Sequence, residues 1–411
     1  MRVLILSQYY DPEPVPKAGE LARELRDRGH DVEVITGFPN YPSGDLYDGY
    51  KLGLMQRATI DGIPVRRTYE YPYHGTSAVK RLVNYWSFVF SAPLGSLLMR
   101  RADVMYVWHP PLTIGVAAWL ISRLRGIPFV YDVQDIWPET AVLSGMLRDG
   151  FVVRTMARLE KFVYRRAKHI LVVTEGARGN LIGKGVPPEK VTVMPHWIDE
   201  SIFAGAGPDD RGTTRVAHGW RDSFVALFAG NIGMVQGLDT VVRAASLLTA
   251  ADRIRIVMVG DGADKARLVA LAKELGVGED RMQFVDRQPM TEMPRFMAAA
   301  DALLVHLRRS ELSRYVIPTK TLAYLAAGKP VLMAMEGAAA DLVRDAGAGV
   351  IVPPDEPQQL VDALRELAAM PESAREKYGE AGREYLEQRL TKQKVIPQYE
   401  EVLRRAARRT S

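Results

Sequence analysis

Lys320 lies in the stretch Ile317-Pro-Thr-Lys-Thr-Leu-Ala-Tyr-Leu-Ala-Ala-Gly-Lys-Pro330, where Pro318 suits the first turn of a helix and Gly328 its C-terminal stop. A cation in a first helical turn opposes the helix dipole unless an anion is bound there. The pattern points to a phosphate site, against the plainer reading of a solvated surface lysine. Two glycine loops precede it. Gly230-Asn-Ile-Gly-Met-Val-Gln-Gly237 and Gly260-Asp-Gly262 each follow an apolar run and lead into an amphipathic one, so their backbones can come close to a ligand, although such loops also serve packing alone. The second has Lys265 where a dinucleotide fingerprint needs its third glycine, and nothing matches a Walker loop. Dehydrogenase and P-loop readings weaken accordingly.

A polar cluster lies earlier, in Tyr131-Asp-Val-Gln-Asp-Ile-Trp-Pro-Glu139. Asp132, Gln134, Asp135 and Glu139 follow an apolar run, at the edge where doubly wound sheets bind ligands, and carboxylates there can orient hydroxyls or move a proton. Capping and loop hydrogen bonds explain any one of them equally well. His109, in Trp108-His-Pro-Pro111, ends the preceding apolar run and could face the same site. No Asp-x-Asp triplet occurs, so charge on a leaving diphosphate falls to helix dipoles and to Lys320, Arg308, Arg309 and Arg314.

The elements that must position these groups alternate. Apolar runs at Val3–Leu6, Val32–Thr36, Val104–Trp108 and Phe129–Tyr131 are separated by helical patterns at Gly19–Arg28 and Ile114–Arg125, which predicts a parallel sheet covered on both faces. The rhythm restarts at Phe224 with strands Phe224–Ala229, Ile254–Val259, Phe284–Val285, Ala302–His306 and Val331–Ala334. At 411 residues two domains are expected, and the aperiodic Gly205-Ala-Gly-Pro-Asp-Asp-Arg-Gly-Thr-Thr214 reads as the linker, dividing residues 1–204 from 205–390. The tail 391–411 is helical and could pack back on the first domain.

Composition narrows the classes. Hydrophobic residues at 47% and charged residues at 25% describe an ordinary globular chain, and the net charge of +5 favours phosphate-bearing ligands or an anionic membrane while being too weak to argue nucleic acid. Zero cysteines exclude disulfides, thiolate catalysis and Cys-ligated zinc. The first apolar run is too short for a signal peptide, which needs roughly 7–15 apolar residues, so a cytoplasmic protein is expected. Leu82–Met99 carries no charge and is bracketed by Lys80-Arg81 and Arg100-Arg101, with Tyr85, Trp86, Phe88 and Phe90 in its first half. It reads as a buried helix, an interfacial membrane helix or, less well given its Asn, Ser, Pro and Gly, a membrane span.

Taken together, Phe228-Ala-Gly-Asn-Ile-Gly233, Gln236-Gly-Leu-Asp239, Val259-Gly-Asp-Gly262, Ile317-Pro-Thr-Lys320 and Leu325-Ala-Ala-Gly-Lys-Pro330 resemble the C-terminal half of retaining family-4 glycosyltransferases. Tyr10-Asp-Pro-Glu-Pro14, Asp132-Val-Gln-Asp-Ile-Trp-Pro-Glu139 and Pro195-His-Trp-Ile-Asp199 resemble the L-fucosamine-transferase-like branch that builds bacterial surface polysaccharides. The resemblance implies an α/β GT-B fold of two facing Rossmann-like domains, a retained α-linkage, and no metal or other cofactor, the nucleotide sugar (UDP-linked in the reading adopted) being a co-substrate. It implies donor contacts at Gly230, Asn231, Ile232, Gly233, Gln236, Gly260, Gly262, Arg287, Arg314, Pro318, Thr319 and Lys320, catalytic roles at Asp135, Gln134 and Lys320, and acceptor contacts at Gly19, His109, Asp132 and Glu139. A polyprenyl-diphosphate-linked acceptor at the inner face of the cell membrane follows from the branch, and gives Leu82–Met99 a purpose.

Three departures stand out. Asn231 and Gln236 replace the Arg and Lys that the wider family places in the first glycine loop, Tyr315 and Ala323 replace its two glutamates, and Gln134 replaces a His. Two rival functions share the architecture: a nucleotide-sugar 2-epimerase, which needs several acids and bases at its site, and a non-catalytic sugar-nucleotide-binding membrane scaffold.

Overall fold

The computed structural model describes residues 1–75, 77–143, 150–199 and 208–408. The chain forms two compact units, one of Met1–Pro195 with Val395–Ser411 and the other of His196–Lys394. The first unit therefore ends ahead of the segment 205–214, of which residues 205–207 fall outside the description. The rest of that segment is not aperiodic as its composition suggests. Pro208–Ala217 is helical, because Arg211 and Arg215 both reach Asp301 at 2.8 and 2.9 Å, and the same carboxylate accepts from the Val225 amide. A tertiary ion-pair network overrides a weak local pattern.

The first unit holds an eight-stranded sheet with β1 at Arg2–Ser7, β2 at Asp31–Thr36, β3 at Met55–Ile60, β4 at Ile63–Thr68, β5 at Val104–Trp108, β6 at Phe129–Val133, β7 at His169–Val172 and β8 at Val191–Val193. Its order is β3-β4-β2-β1-β5-β6-β7-β8, all parallel except the β3–β4 hairpin. That hairpin escapes the sequence rhythm because β3 is largely exposed and lacks an apolar run. Asp61 and Gly62 close it with positive φ of 49° and 75°, the two-residue turn that matches strand twist.

The second unit holds β9 at Phe224–Ala229, β10 at Ile254–Val259, β11 at Met282–Val285, β12 at Ala302–His306, β13 at Val331–Ala334 and β14 at Gly349–Val352, in the order β11-β10-β9-β12-β13-β14. Alternate residues of β9 bury on opposite faces, Val225 and Leu227 in one core and Ala226 and Phe228 in the other, which is why the strand is apolar without a break. The strand order reverses between β1 and β5 in the first sheet and between β9 and β12 in the second. At such a reversal, adjacent connections leave toward opposite faces and open a crevice at the carboxyl ends of the strands.

Two remaining segments settle into place. The C-terminal helix Lys392–Ala407 buries Tyr399, Val402 and Leu403, and its Tyr399 hydroxyl donates to Asp132 while Glu400 lies 3.0 Å from His30 Nε2. The apolar stretch is the helix Ala78–Ser96, capped by Ser77, and no helix among the described residues is long and apolar enough to cross a membrane. One face is buried through Asn84, Phe88, Val89 and Ala92, and the opposite face is not.

Candidate functional site

In the second unit the two glycine loops emerge side by side from the neighbouring strands β9 and β10, the first of them at the strand-order reversal. They pack backbone to backbone. The Ile232 amide donates to the Asp261 carbonyl at 2.8 Å and the Asp264 amide to the Ile232 carbonyl at 3.0 Å. A Cβ on Gly260 would lie 2.0 Å from the Gly230 carbonyl oxygen, and one on Gly262 would lie 2.3 Å from that of Ile232. Only glycine permits this approach, and Gly230, Gly260 and Gly262 all hold positive φ.

Against this double loop stands the helix Thr319–Ala327, with Pro318 as its N-cap, Thr319 exposed, and Gly328 closing it at φ 63°. Lys320 sits in its first turn. Its Nζ is buried with no hydrogen-bond partner among the described residues, lies 3.6 Å above the centre of the Phe228 ring, and would be 3.2 Å from a Cβ on Gly230. Burial pulls its pKa down to about 7, since no carboxylate offsets the loss of water. The other three cations that the sequence nominates are engaged: Arg308 with Asp239 at 2.7 Å, Arg309 with Glu336 at 3.2 Å, and Arg314 with Glu311 at 3.3 Å. Thr321, next in the helix, adds a buried Oγ1 with no partner, while its fold is fixed by Tyr324, whose hydroxyl accepts from the Ala229 amide at 2.9 Å.

Among the remaining donor-side residues, Asn231 is exposed with Gly233 packed beside its amide, and Arg287 is exposed just beyond β11. Gln236 acts through its backbone. Its carbonyl lies 2.6 Å from His306 Nδ1, which must carry the proton, leaving His306 Nε2 a buried acceptor with no partner. His306 and Thr321 were not singled out by the sequence, because one reads as the end of a strand and the other as an ordinary helix residue. Position at the carboxyl end of β12, beside the strand-order reversal, is the signal that finds His306.

In the first unit the nominated residues do not share one role. Asp132 is buried, accepts from the Tyr106 and Tyr399 hydroxyls and from Gln134 Nε2 at 2.7 Å, and has its pKa raised to about 6 by that burial. It therefore ties the C-terminal helix to the sheet, and Gln134 braces it. Glu139 pairs with Lys184 at 2.8 Å, which also holds Glu160, so it too is spent within the fold. His109 is buried against Tyr131, its pKa lowered to about 3 by desolvation, hence neutral with an unpartnered Nδ1. Burial raises the pKa of the Asp135 carboxyl, and Gly19 lets the helix Pro16–Asp27 pass Asp11, whose Oδ2 would be 2.4 Å from a Cβ there.

A further polar network assembles in the first unit from residues far apart in the chain. Beyond β1, β2 and β4, Gln8, Asn40 and Glu70 meet Asn84 of the helix Ala78–Ser96: Asn40 and Asn84 each donate to Glu70 Oε1, at 2.8 and 3.0 Å, and Gln8 donates to Asn84 Oδ1 at 2.9 Å. Desolvation lifts Glu70 to about 8. Glu13 nearby accepts from the amides of Tyr10, Asn40 and Tyr41, and Tyr9, Tyr41 and His74 form an aromatic cluster with centroids 5.0 to 5.7 Å apart. Apart from Asn84, which the helix Ala78–Ser96 carries, these residues lie in the segments that follow β1, β2 and β4, which is the pattern that could have flagged them.

Both units thus gather polar groups at the carboxyl ends of their strands, and both match known domains. Residues 14–197 match the model of a glycosyl transferase 4-like domain, and residues 210–385 that of glycosyl transferases group 1. The chain is a glycosyltransferase. The enzyme is similar to the provisionally assigned colanic acid biosynthesis glycosyl transferase WcaI of Escherichia coli (strain K12), with 28% identity over 97% of this chain and 98% of the relative. It is also similar to the D-inositol 3-phosphate glycosyltransferase of Kribbella flavida, at 27% identity over 93% and 91% of the two chains. Solved structures of the same fold include sucrose-phosphate synthase from Thermosynechococcus elongatus, with TM-score 0.77, 16% identity and 98% of each chain covered. The Anabaena protein Alr3699/HepE, solved in complex with UDP and glucose, superposes with TM-score 0.72 at 19% identity, over 98% of this chain and 99% of that one. The glycosyltransferase accordingly has the GT-B fold of two Rossmann-like domains.

Proposed function

We propose that this glycosyltransferase moves a sugar, with retention, from a UDP-sugar to a polyprenyl-diphosphate-linked glycan during bacterial surface polysaccharide synthesis, working at the inner face of the cell membrane. The observation that carries the donor side is the Lys320 ammonium, buried without an anion at the start of a helix and beside two glycine loops. A diphosphate supplies the missing partner and meets the helix dipole at the same point. UDP as the carrier is supported by the Anabaena protein, solved with UDP and glucose and with UDP-glucose. The polysaccharide setting is supported by the similarity to WcaI.

In the reaction, the bond from the sugar's anomeric carbon to the diphosphate oxygen breaks as a bond to the acceptor hydroxyl forms on the same face. The hydroxyl's proton passes to the departing phosphate oxygen, so no dedicated base is needed. Lys320 and the Thr319–Ala327 helix stabilise the charge that builds on the diphosphate, and Asp135 and Gln134 position the sugar. Thr321 and His306 supply further hydrogen-bonding capacity in the second unit.

A thermal-shift panel of UDP-, GDP- and dTDP-sugars tests this reading. A UDP-sugar is expected to raise the melting temperature by several degrees at millimolar concentration, since a ligand at 100 times its Kd stabilises by about 2.7 kcal/mol. No shift with any UDP-sugar would reject the proposed donor. Incubating the stabilising donor without an acceptor then separates transfer from epimerisation, because slow release of the free sugar is expected and a 2-epimeric nucleotide sugar is not.

A further inference from the structure

The helices Ala78–Ser96, Ile114–Arg125 and Phe151–Arg166 pack side by side on the first unit. Arg125 donates to the Ser96 and Met99 carbonyls, and Trp119 meets Phe162 edge-on at 5.0 Å. Gly115 fits against Val163, whose Cγ1 would be 2.4 Å from a Cβ there. The three helices carry nine Lys and Arg against a single acid, Glu160, and Glu160 is buried under Lys184. In a chain of net charge +5, this concentration of one sign on one set of neighbouring helices is a local feature.

The outward side of the first helix is apolar along its whole length. Val79, Leu82, Phe90 and Leu94 are 53–70% exposed, at spacings that keep them on one helical stripe, with Trp86 beside Phe90 at 6.0 Å and the exposed Leu98 just past the helix end. Exposed Lys80, Arg100 and Arg101 bracket this ridge. On the third helix, Phe151 and Val152 are 73% and 55% exposed, and Arg154, Arg158, Lys161 and Arg165 form an exposed stripe at helical spacing. Arg158, Lys161 and Arg165, together with Lys184 and Lys190, line an open cavity of about 660 Å³.

We infer that this three-helix face docks the enzyme on a bilayer containing anionic lipids, the apolar ridge entering the acyl boundary and the cation stripe meeting the headgroups. The pairing of the two features decides the partner. Nucleic acid has no use for an exposed Leu, Phe and Trp ridge, and a purely zwitterionic surface has none for cations without acids. The inference deepens the lipid-linked reading of the acceptor, for the chain would then meet its substrate in the plane of the membrane.

Flotation of the full chain with vesicles of phosphatidylcholine alone and of phosphatidylcholine with 30% phosphatidylglycerol, at 0.15 M salt, tests it. Binding is expected on the anionic vesicles and to be weak on the zwitterionic ones. Arg154→Glu, Arg158→Glu and Arg165→Glu combined are expected to weaken it on the order of a hundredfold, at about a fivefold loss per surface cation. Phe90→Asp is expected to reduce it even at low salt. The same number of reversals in the second unit, Arg243→Glu, Lys273→Glu and Lys377→Glu, is expected to leave it nearly unchanged. The inference is overturned if the unaltered chain ignores anionic vesicles, if both triple variants bind alike, or if the chain instead dimerises and Phe90→Asp restores the monomer. The donor-induced thermal shift is measured on the same preparations. Its loss with retained flotation would count against the proposed donor chemistry and leave the docking face standing.

Discussion

Lys320→Ala is expected to weaken UDP-sugar binding by about 10–100-fold, the ~1.5–3 kcal/mol of a hydrogen bond to a charged group. The effect is large because the ammonium has no other partner to which its role could pass: Arg308, Arg309 and Arg314 are held by carboxylates. Without ligand the same residue is a burden, since desolvation lowers its pKa from 10.5 to about 7. The sign of the pH effect follows. Between about pH 7 and 10.5 the unfolded chain binds a proton that the folded, ligand-free chain does not, so stability contributed at this site rises with pH across that window. Donor affinity moves the other way, falling as pH passes above about 7, because the diphosphate must then recruit a proton onto Lys320. Calorimetry in buffers of different ionisation enthalpy reads that proton uptake directly. Lys320→Met is expected to abolish the uptake and flatten the stability slope while leaving the ligand-free chain folded. Undiminished donor affinity in Lys320→Ala would remove this residue from the site.

Gly260→Ala is expected to destabilise the second unit by about 3 kcal/mol and to lower donor affinity with it, combining overpacking with a positive φ that a Cβ resists. The added methyl group would stand 2.0 Å from the Gly230 carbonyl oxygen, a backbone atom that no side-chain rotation can move away. The two glycine loops must then separate, and the loop facing Lys320 shifts. Gly276→Ala is the matched control. Gly276 also has positive φ, 65°, but nothing lies within 4 Å of its added Cβ, so only the conformational cost of about 1–2 kcal/mol remains. Chemical denaturation of both variants and donor titration of each separate steric from conformational loss. Equal destabilisation of the two would show that the loop contact is slack.

The sheet strands Val104–Trp108, Phe224–Ala229, Ile254–Val259, Ala302–His306 and Val331–Ala334 are legible in the chain to the residue, because strands buried on both faces must be continuously apolar. Gly328 as a helix stop is legible for a similar reason, since a left-handed φ of 63° is a local demand that one residue type meets best. The exposed β3 and the helix Pro208–Ala217 are not, because a hairpin edge and an ion-paired helix owe their form to partners far along the chain.

The same division runs through the sites. Lys320 could be picked out from its own neighbours, a cation between Pro318 and Gly328, because the conflict between a lysine and a helix N-terminus is local. Its want of a carboxylate partner could not, nor could the spending of Asp132 on Tyr399, 267 residues away, or the assembly of Glu70, Asn40, Asn84 and Gln8. Sequence by itself determined the two-domain α/β architecture, the glycine loops and the charged first turn of Thr319–Ala327. Tertiary structure alone decided which polar residues remain available for chemistry, since whether a buried group is satisfied depends on atoms that only folding brings within hydrogen-bonding distance.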